Sequence, residues 1–201
     1  MHSENLKRKL FQHFQTHGLD AYGIGNLLRD GLQRAWEYFW ILDNLPIENS
    51  TEATVLDVGC DPACLFPLIL ATELKFILAN DIPPCSVELP DNVVYQQGKI
   101  QELPAYRCVD AVTCVSVLEH VEDKSAFCKA LDSIAAPILL TCEFSRDDAH
   151  IAEQLVTLDV LTDCLSHFQK HYLSRMEECP VWAANSRSGE WRPLALLLLP
   201  V

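Results

Sequence analysis

From residue 51 onward the chain alternates short apolar runs with longer stretches in which apolar residues return every three or four positions. The runs at 53–58, 75–80, 93–97, 111–115 and 137–142 predict five strands, four of them ending against Gly59, Asp81, Gly98 and Ser116. The segments 64–74, 124–134 and about 149–168 carry the helical period, with Pro67 tolerable only near the first turn of its helix. Strands separated by helices imply a parallel sheet covered on both faces. The end of the chain differs. Residues 172–176 and 193–199 read as two further strands joined through the loop-like Asn185-Ser-Arg-Ser-Gly189, an antiparallel hairpin.

The part before residue 51 is helical in pattern. Ser3 is a candidate N-cap for a helix whose Leu6, Leu10, Phe11 and Phe14 share a face before Gly18. A second helix over 27–42 has Leu28, Leu32, Ala35, Trp36 and Phe39 as its apolar stripe. Pro46 and the polar Glu48-Asn49-Ser50 then divide the chain into a helical cap, 1–48, and a larger domain, 49–201. Such a cap either packs on the edge of a sheet or covers a crevice.

Composition narrows the function. A length of 201 residues suits one well-cored domain, and 49% hydrophobic residues exclude a disordered chain. The net charge of −13 disfavours nucleic acid or an anionic membrane as partner, because either requires neutralising phosphates with Lys and Arg. The local basic strip Lys7-Arg8-Lys9 reads as a solvated helix face. Nine cysteines would suggest a disulfide scaffold, but the count is odd, the chain is large and its first nine residues are polar, unlike a secretory signal. Cys114, Cys128 and Cys142 sit in apolar runs, where a thiol behaves as a small hydrophobe. Cys60 and Cys64 lack a matched histidine pair and make a poor zinc pattern. The apolar tail at 194–201 is far short of the roughly 20 residues that span a bilayer. A cytoplasmic protein with reduced thiols, no metal and no membrane insertion is expected.

The candidate chemistry lies at the carboxyl ends of the strands. In Val55-Leu-Asp-Val-Gly-Cys-Asp-Pro-Ala-Cys64 a strand delivers Asp57, and Gly59 then lets the backbone turn tightly and approach a ligand. The helix that follows offers free N–H groups to an anion. Asp81 ends the second strand 22 residues beyond Gly59, where a carboxylate can accept both ribose hydroxyls of a nucleotide-like cofactor. Its other reading is a turn residue before two prolines. Gln97-Gly-Lys-Ile-Gln-Glu-Leu-Pro104 follows the third strand, and Val109-Asp-Ala-Val-Thr-Cys-Val-Ser-Val-Leu-Glu-His-Val121 contains the fourth.

Together these segments resemble the class I methyltransferases that use S-adenosylmethionine, over about residues 50–201. The resemblance implies an α/β fold: a doubly wound, mostly parallel seven-stranded sheet with an antiparallel C-terminal hairpin strand and N-terminal helices. It implies that Asp57 helps hold the amino-acid end of the cofactor and that Gly59 lines its path. Cys60, Asp81, Ile82, Ile100, Val115 and Ser116 complete the implied cofactor-binding set, Asp81 at the ribose and the Ile100 backbone at the adenine. The implied reaction is methyl transfer to an oxygen or nitrogen of a small-molecule acceptor, since no inserted recognition domain is present. His120 opens toward the acceptor side and is a candidate general base, with a purely structural histidine as the other reading.

Three positions depart from the family pattern Asp-x-Gly-x-Gly-x-Gly and from its adenine-binding acid. Asp61 and Ala63 stand where glycines are usual, and Lys99 stands where an acid often receives the adenine amino group. They support an alternative, a catalytically inactive methyltransferase-fold binding or regulatory protein. An NAD enzyme is a further competitor, but Gly-x-Gly-x-x-Gly is absent. After the fifth strand, Glu143-Phe-Ser-Arg-Asp-Asp-Ala-His150 offers Asp147, Asp148 and His150 either to orient a hydroxyl or bind a cation, or as helix caps. His150 is the second candidate base.

Overall fold

The apolar runs pair edge to edge into one sheet, and the helical segments fold back over its two faces. The computed structural model describes residues 12, 21–103, 108–145, 155–179 and 192–201, with side chains of the first long helix described from Gln33 onward. In chain order the elements are α1 (Ala21–Asn44), β1 (Thr54–Val58), α2 (Leu65–Leu70), β2 (Phe76–Asp81), β3 (Val93–Gln97), β4 (Ala111–Val115), α3 (Lys124–Asp132), β5 (Ile138–Ser145), β6 (Val156–Thr157), α4 (Leu158–Ser166), β7 (His171–Glu178) and β8 (Arg192–Pro200). Single 3-10 turns lie at Ile100–Glu102 and Leu118–His120. The strand order is β3-β2-β1-β4-β5-β8-β7, and two-residue β6 pairs only with the end of β5. Strands β1 to β5 run parallel, whereas β8 is antiparallel to both β5 and β7. The expected seven-stranded sheet with its C-terminal hairpin is present, and β6 adds a short eighth strand.

Period-two alternation sorts the side chains into two cores, one on each face. Along β5, Ile138 and Leu140 face one core and Leu139 the other; along β1, Leu56 and Val55 divide the same way. The first core joins Trp36, Trp40 and Ile41 of α1 to Phe66, Ile69 and Leu70 of α2. The second holds Phe127 and Leu131 of α3 and Leu161 of α4. Because β8 lies between β5 and β7, Leu194, Ala195, Leu196 and Leu198 are all buried, which explains a strand with no polar alternation. The outer strand β7 exposes Tyr172 to Met176 and is interrupted by a register shift between Leu173 and Arg175. At its start, buried His171 faces Asp132 Oδ1 through Nδ1 and the Ala136 carbonyl through Nε2, both at 2.9 Å, tying the end of α3 to the hairpin.

Several boundaries differ from the sequence expectation. Helix α1 starts at Ala21 rather than 27. Helix α2 spans six residues rather than 64–74, because Cys64 before it is left-handed (φ 51°) and the Thr72 hydroxyl caps the Ile69 carbonyl at 2.7 Å. Strand β5 continues to Ser145, three residues beyond 142. Where the helix 149–168 was expected, Val156 pairs with Phe144 as a strand, and Thr157 Oγ1 accepts the Val160 N–H at 3.4 Å, so the helix begins at Leu158. The expected helix before Gly18, the loop Asn185–Gly189, and Asp147, Asp148 and His150 lie outside the described residues. Among the described residues no helix is long and apolar enough to cross a membrane.

Candidate cofactor and active site

Beyond β1 the chain must reverse within two residues to enter α2, and Gly59 makes that reversal at φ +73°. Its N–H and that of Cys60 both donate to the Asn80 carbonyl, at 2.7 and 3.1 Å. A Cβ on Gly59 would lie 2.3 Å from Val117 Cγ2, so the position excludes any side chain on steric grounds as well. Asp61 follows in the left-handed region (φ 66°), a conformation that Asp tolerates better than most residues. Its Oδ1 accepts the Ala63 N–H at 2.8 Å, which turns the carboxylate into part of the loop. The departure from glycine at Asp61 therefore preserves a glycine-like backbone.

Two carboxylates at adjacent strand ends flank this turn. Asp57 is buried near the end of β1, where Thr113 of β4 donates to its Oδ1 at 2.6 Å. Burial pushes its pKa up from 3.8 to about 7, opposed by the Thr113 bond and reinforced by the charge on Asp81. Asp81 closes β2 and is partly exposed. Its Oδ2 accepts the Asp61 N–H at 2.8 Å and its Oδ1 the Ile82 N–H at 2.6 Å. Each oxygen keeps a second lone pair for a hydroxyl donor. Asn80 donates to the Gln96 and Gly98 carbonyls, both at 2.9 Å, and so fixes the turn after β3 against β2.

A second wall of the site is built by α1 and the end of β4. Ser116, left-handed at φ 50°, donates its hydroxyl to Glu37 Oε1 at 2.6 Å. Glu37 has no solvent exposure, and its Oε2 lies 3.0 Å from Arg34 Nη1. Tyr38 stacks on Phe66 with ring centroids 4.5 Å apart. Nearby, Glu119 accepts the Glu143 N–H at 3.1 Å, and burial raises its pKa from 4.5 to about 7. Burial also raises the Glu143 carboxyl. His120 is exposed at the end of the 3-10 turn.

These elements enclose a cavity of about 630 Å³. Its walls include Asp57, Gly59, Cys60, Asp81, Ile82 and Ile100, together with Val115, Ser116 and His120, so the fold brings every described candidate residue to one place. Asp147, Asp148 and His150 lie outside the described residues. The sequence reading missed Arg34, Tyr38, Phe66, Gln101 and Glu122, which also line it. Arg34 and Tyr38 are four apart on α1, one helix face, but which face meets a cavity is a tertiary fact. Among the described residues no group of three or more His, Cys, Asp or Glu is arranged to hold a metal ion.

Residues 56–137, from β1 to the start of β5, match the family described as a methyltransferase domain. Over that stretch the chain is similar to the class I S-adenosylmethionine-dependent methyltransferases. The chain is also similar to ubiquinone biosynthesis O-methyltransferases of Xanthomonas species. With that of Xanthomonas axonopodis pv. citri (strain 306) it shares 28% identity over 148 residues, 67% of this chain and 62% of the relative. With that of Xanthomonas campestris pv. campestris (strain B100) it shares 30% over 132 residues, 60% and 55%. It thus spans less than two thirds of the length of either relative. Among solved structures, geranyl diphosphate C-methyltransferase of Streptomyces coelicolor A3(2), solved with S-adenosyl-L-homocysteine, superposes with a TM-score of 0.68 at 8% identity, covering 83% of this chain and 76% of its own. The [4+2]-cyclase SpnF superposes at 0.67 and 13% identity, covering 84% and 82%. At these identities the likeness is one of fold, and a fold hosts many chemistries.

Proposed function

We propose that this chain binds S-adenosylmethionine in the 630 Å³ cavity and transfers its methyl group to an oxygen or nitrogen of a small molecule. The observation that carries the reading is the pairing of Asp57 and Asp81 across the Gly59 turn on one cavity wall. The volume is of the size that takes a drug-sized ligand, within the usual span of about 300–1,000 Å³. Asp57, Asp61, Asp81, Glu122 and Asp123 outnumber Arg34 and Lys99 around it, which suits a ligand carrying a sulfonium and an ammonium. Asp57 would meet the ammonium, and Asp81 the ribose hydroxyls through its remaining lone pairs. Ile82, 58% exposed at the rim, would cover one face of the adenine. Where Lys99 cannot accept the adenine amino group, Gln101 and the Ile100 backbone can.

When bound, S-adenosylmethionine supplies a strongly electrophilic methyl group. The protein's part is to align the acceptor and exclude water. His120, on the open side, would take the acceptor's proton, while Arg34, Tyr38 and Ser116 shape the pocket from α1 and β4. The names of the Xanthomonas relatives, O-methyltransferases, favour oxygen as the acceptor atom. Asp61 supports activity rather than its loss, because its backbone retains the conformation of the glycine it replaces. Residues 1–48 would act as the cap over this site and 49–201 as the catalytic domain. All nine cysteines are free thiols, which favours a cytoplasmic setting. Calorimetry with S-adenosylmethionine and S-adenosylhomocysteine tests the reading: both should bind wild type, and Asp81→Asn should bind each at least tenfold more weakly. Absence of binding heat for both would refute it.

A further inference from the structure

Three thiols form a row beside the cavity. Cys64 Sγ lies 3.8 Å from Cys60 Sγ on one side and 3.8 Å from Cys85 Sγ on the other. They come from separate parts of the chain: Cys60 from the turn after β1, Cys64 from the residue before α2, and Cys85 from the irregular connection between β2 and β3. Cys60 and Cys64 are buried, and Cys85 is partly exposed. The connection carrying Cys85 is already held against the turn, because the Ser86 N–H and hydroxyl both donate to the Pro62 carbonyl, at 2.8 and 2.9 Å. Cys64 sits in the left-handed region at φ 51°, with no side-chain cap bond to α2.

We propose that Cys64 and Cys85 are a disulfide-forming pair, oxidised by a peroxide, that cross-links the two walls of the cavity's cofactor end. Cys85 is the partner that solvent reaches, and its segment has no regular structure to resist the approach of about 1.8 Å that takes the two sulfurs to bonding distance. Cys60 is held more firmly, its N–H bonded to the Asn80 carbonyl. In the reaction the Cys85 thiolate attacks the peroxide, an S–O bond forming as O–O breaks and the leaving oxygen departing as water or an alcohol. The Cys64 thiolate then displaces hydroxide from the Cys85 sulfenic acid, S–S forming as S–O breaks. Overall two thiols lose two protons and two electrons, and the peroxide is reduced to water plus water or alcohol. Hydrogen bonds from Cys60 and then Cys85 favour the Cys64 thiolate against the effect of burial, as the second step requires. Burial raises the Cys85 thiol, so the first step is slow at neutral pH and quickens with alkalinity.

The consequence rests on the cofactor-site reading above. Ile82 on one side and Asp61 to Ala63 on the other line the cavity, and drawing their segments together changes the width available to a ligand. The test treats the full chain with hydrogen peroxide, blocks free thiols with N-ethylmaleimide and digests with trypsin. Cleavage after Arg34, Lys75 and Lys99 places Cys60 and Cys64 on peptide 35–75 and Cys85 on peptide 76–99. Mass spectrometry should find the two peptides joined, in wild type and in Cys60→Ser, and separate in Cys85→Ser or after dithiothreitol. Exposed Cys108 reports that the oxidant acted. Oxidised Cys108 with no joined peptides overturns the proposal, as does a join that Cys60→Ser abolishes. S-adenosylhomocysteine should bind the joined form at least fivefold more weakly, and equal affinity would refute the effect on the cavity. If neither form binds it, the cofactor reading fails while the peptides still decide the cross-link.

Discussion

Asp57→Asn should stabilise the fold at neutral and alkaline pH while weakening the ligand. In the native chain the Asp57 carboxyl keeps its proton up to about pH 7, whereas in the unfolded chain it loses it near 3.8. Between those values the native state binds more protons, so this group's contribution to stability is complete below 3.8, falls as pH rises, and is flat above 7. The loss across the whole window is about 4 kcal/mol at 1.36 kcal/mol per pKa difference of one, of which about 3 kcal/mol falls between pH 5 and 8. An asparagine oxygen can still accept the Thr113 hydroxyl, and it carries no charge to desolvate. Urea unfolding of both proteins from pH 5 to 8 should therefore show the variant gaining on wild type by about 3 kcal/mol. Glu119 is raised in the same direction, but it is present in both proteins and cancels in the difference. Parallel stability curves would refute the argument that Asp57 is held protonated by burial. The ligand half is separate: a cation at Asp57 expels its proton, so S-adenosylhomocysteine binding near pH 6 should release protons, seen as a dependence of the calorimetric enthalpy on buffer. The variant should lose that release and bind about 10- to 150-fold more weakly, the equivalent of about 1.5–3 kcal/mol for a charged hydrogen bond.

Gly59→Ala should cost about 2–4 kcal/mol, from the left-handed backbone and the collision with Val117, and Val117→Ala should recover part of it in urea unfolding. Asp61→Gly fits the same backbone without its side-chain bond to Ala63; if the ligand's amino-acid end brings its carboxylate beside this loop, removing the Asp61 charge should tighten S-adenosylhomocysteine, and weaker binding would show that the Asp61 side chain itself contacts the ligand. His120→Ala should lower turnover by about 10²–10⁴-fold with cofactor affinity within twofold, and full turnover in the variant would end its candidacy as base. Ser116→Ala leaves buried Glu37 without its hydroxyl donor and should destabilise the packing of α1 on the sheet by about 1–3 kcal/mol, read by urea unfolding.

Strand β4 was legible in the chain because a continuous apolar run buried on both faces needs no partner to be recognised, and it has the expected bounds, 111–115; the partly exposed edge strand β3 also has its expected bounds, 93–97. The residues that follow them were legible too, since Asp57, Gly59, Asp81 and Ser116 stand where strand ends meet turns. That placement follows from local sequence, and a parallel sheet carries all such ends to one edge. What local sequence does not contain is the identity of partners far along the chain. Glu37 meets Ser116 across 79 residues, and Cys64 meets Cys85 across 21, so neither pairing has a signature in spacing or composition. The same holds for boundaries: the helical period runs through 149–168, but pairing of Val156 with Phe144 makes a strand there, because a buried ladder outweighs weak local helix propensity. The αL backbone of Asp61 is likewise set by the Asp81 carboxylate holding its N–H. Local pattern fixes which residues reach the cavity edge from β1 to β4, and only packing over long sequence separations decides what those residues touch.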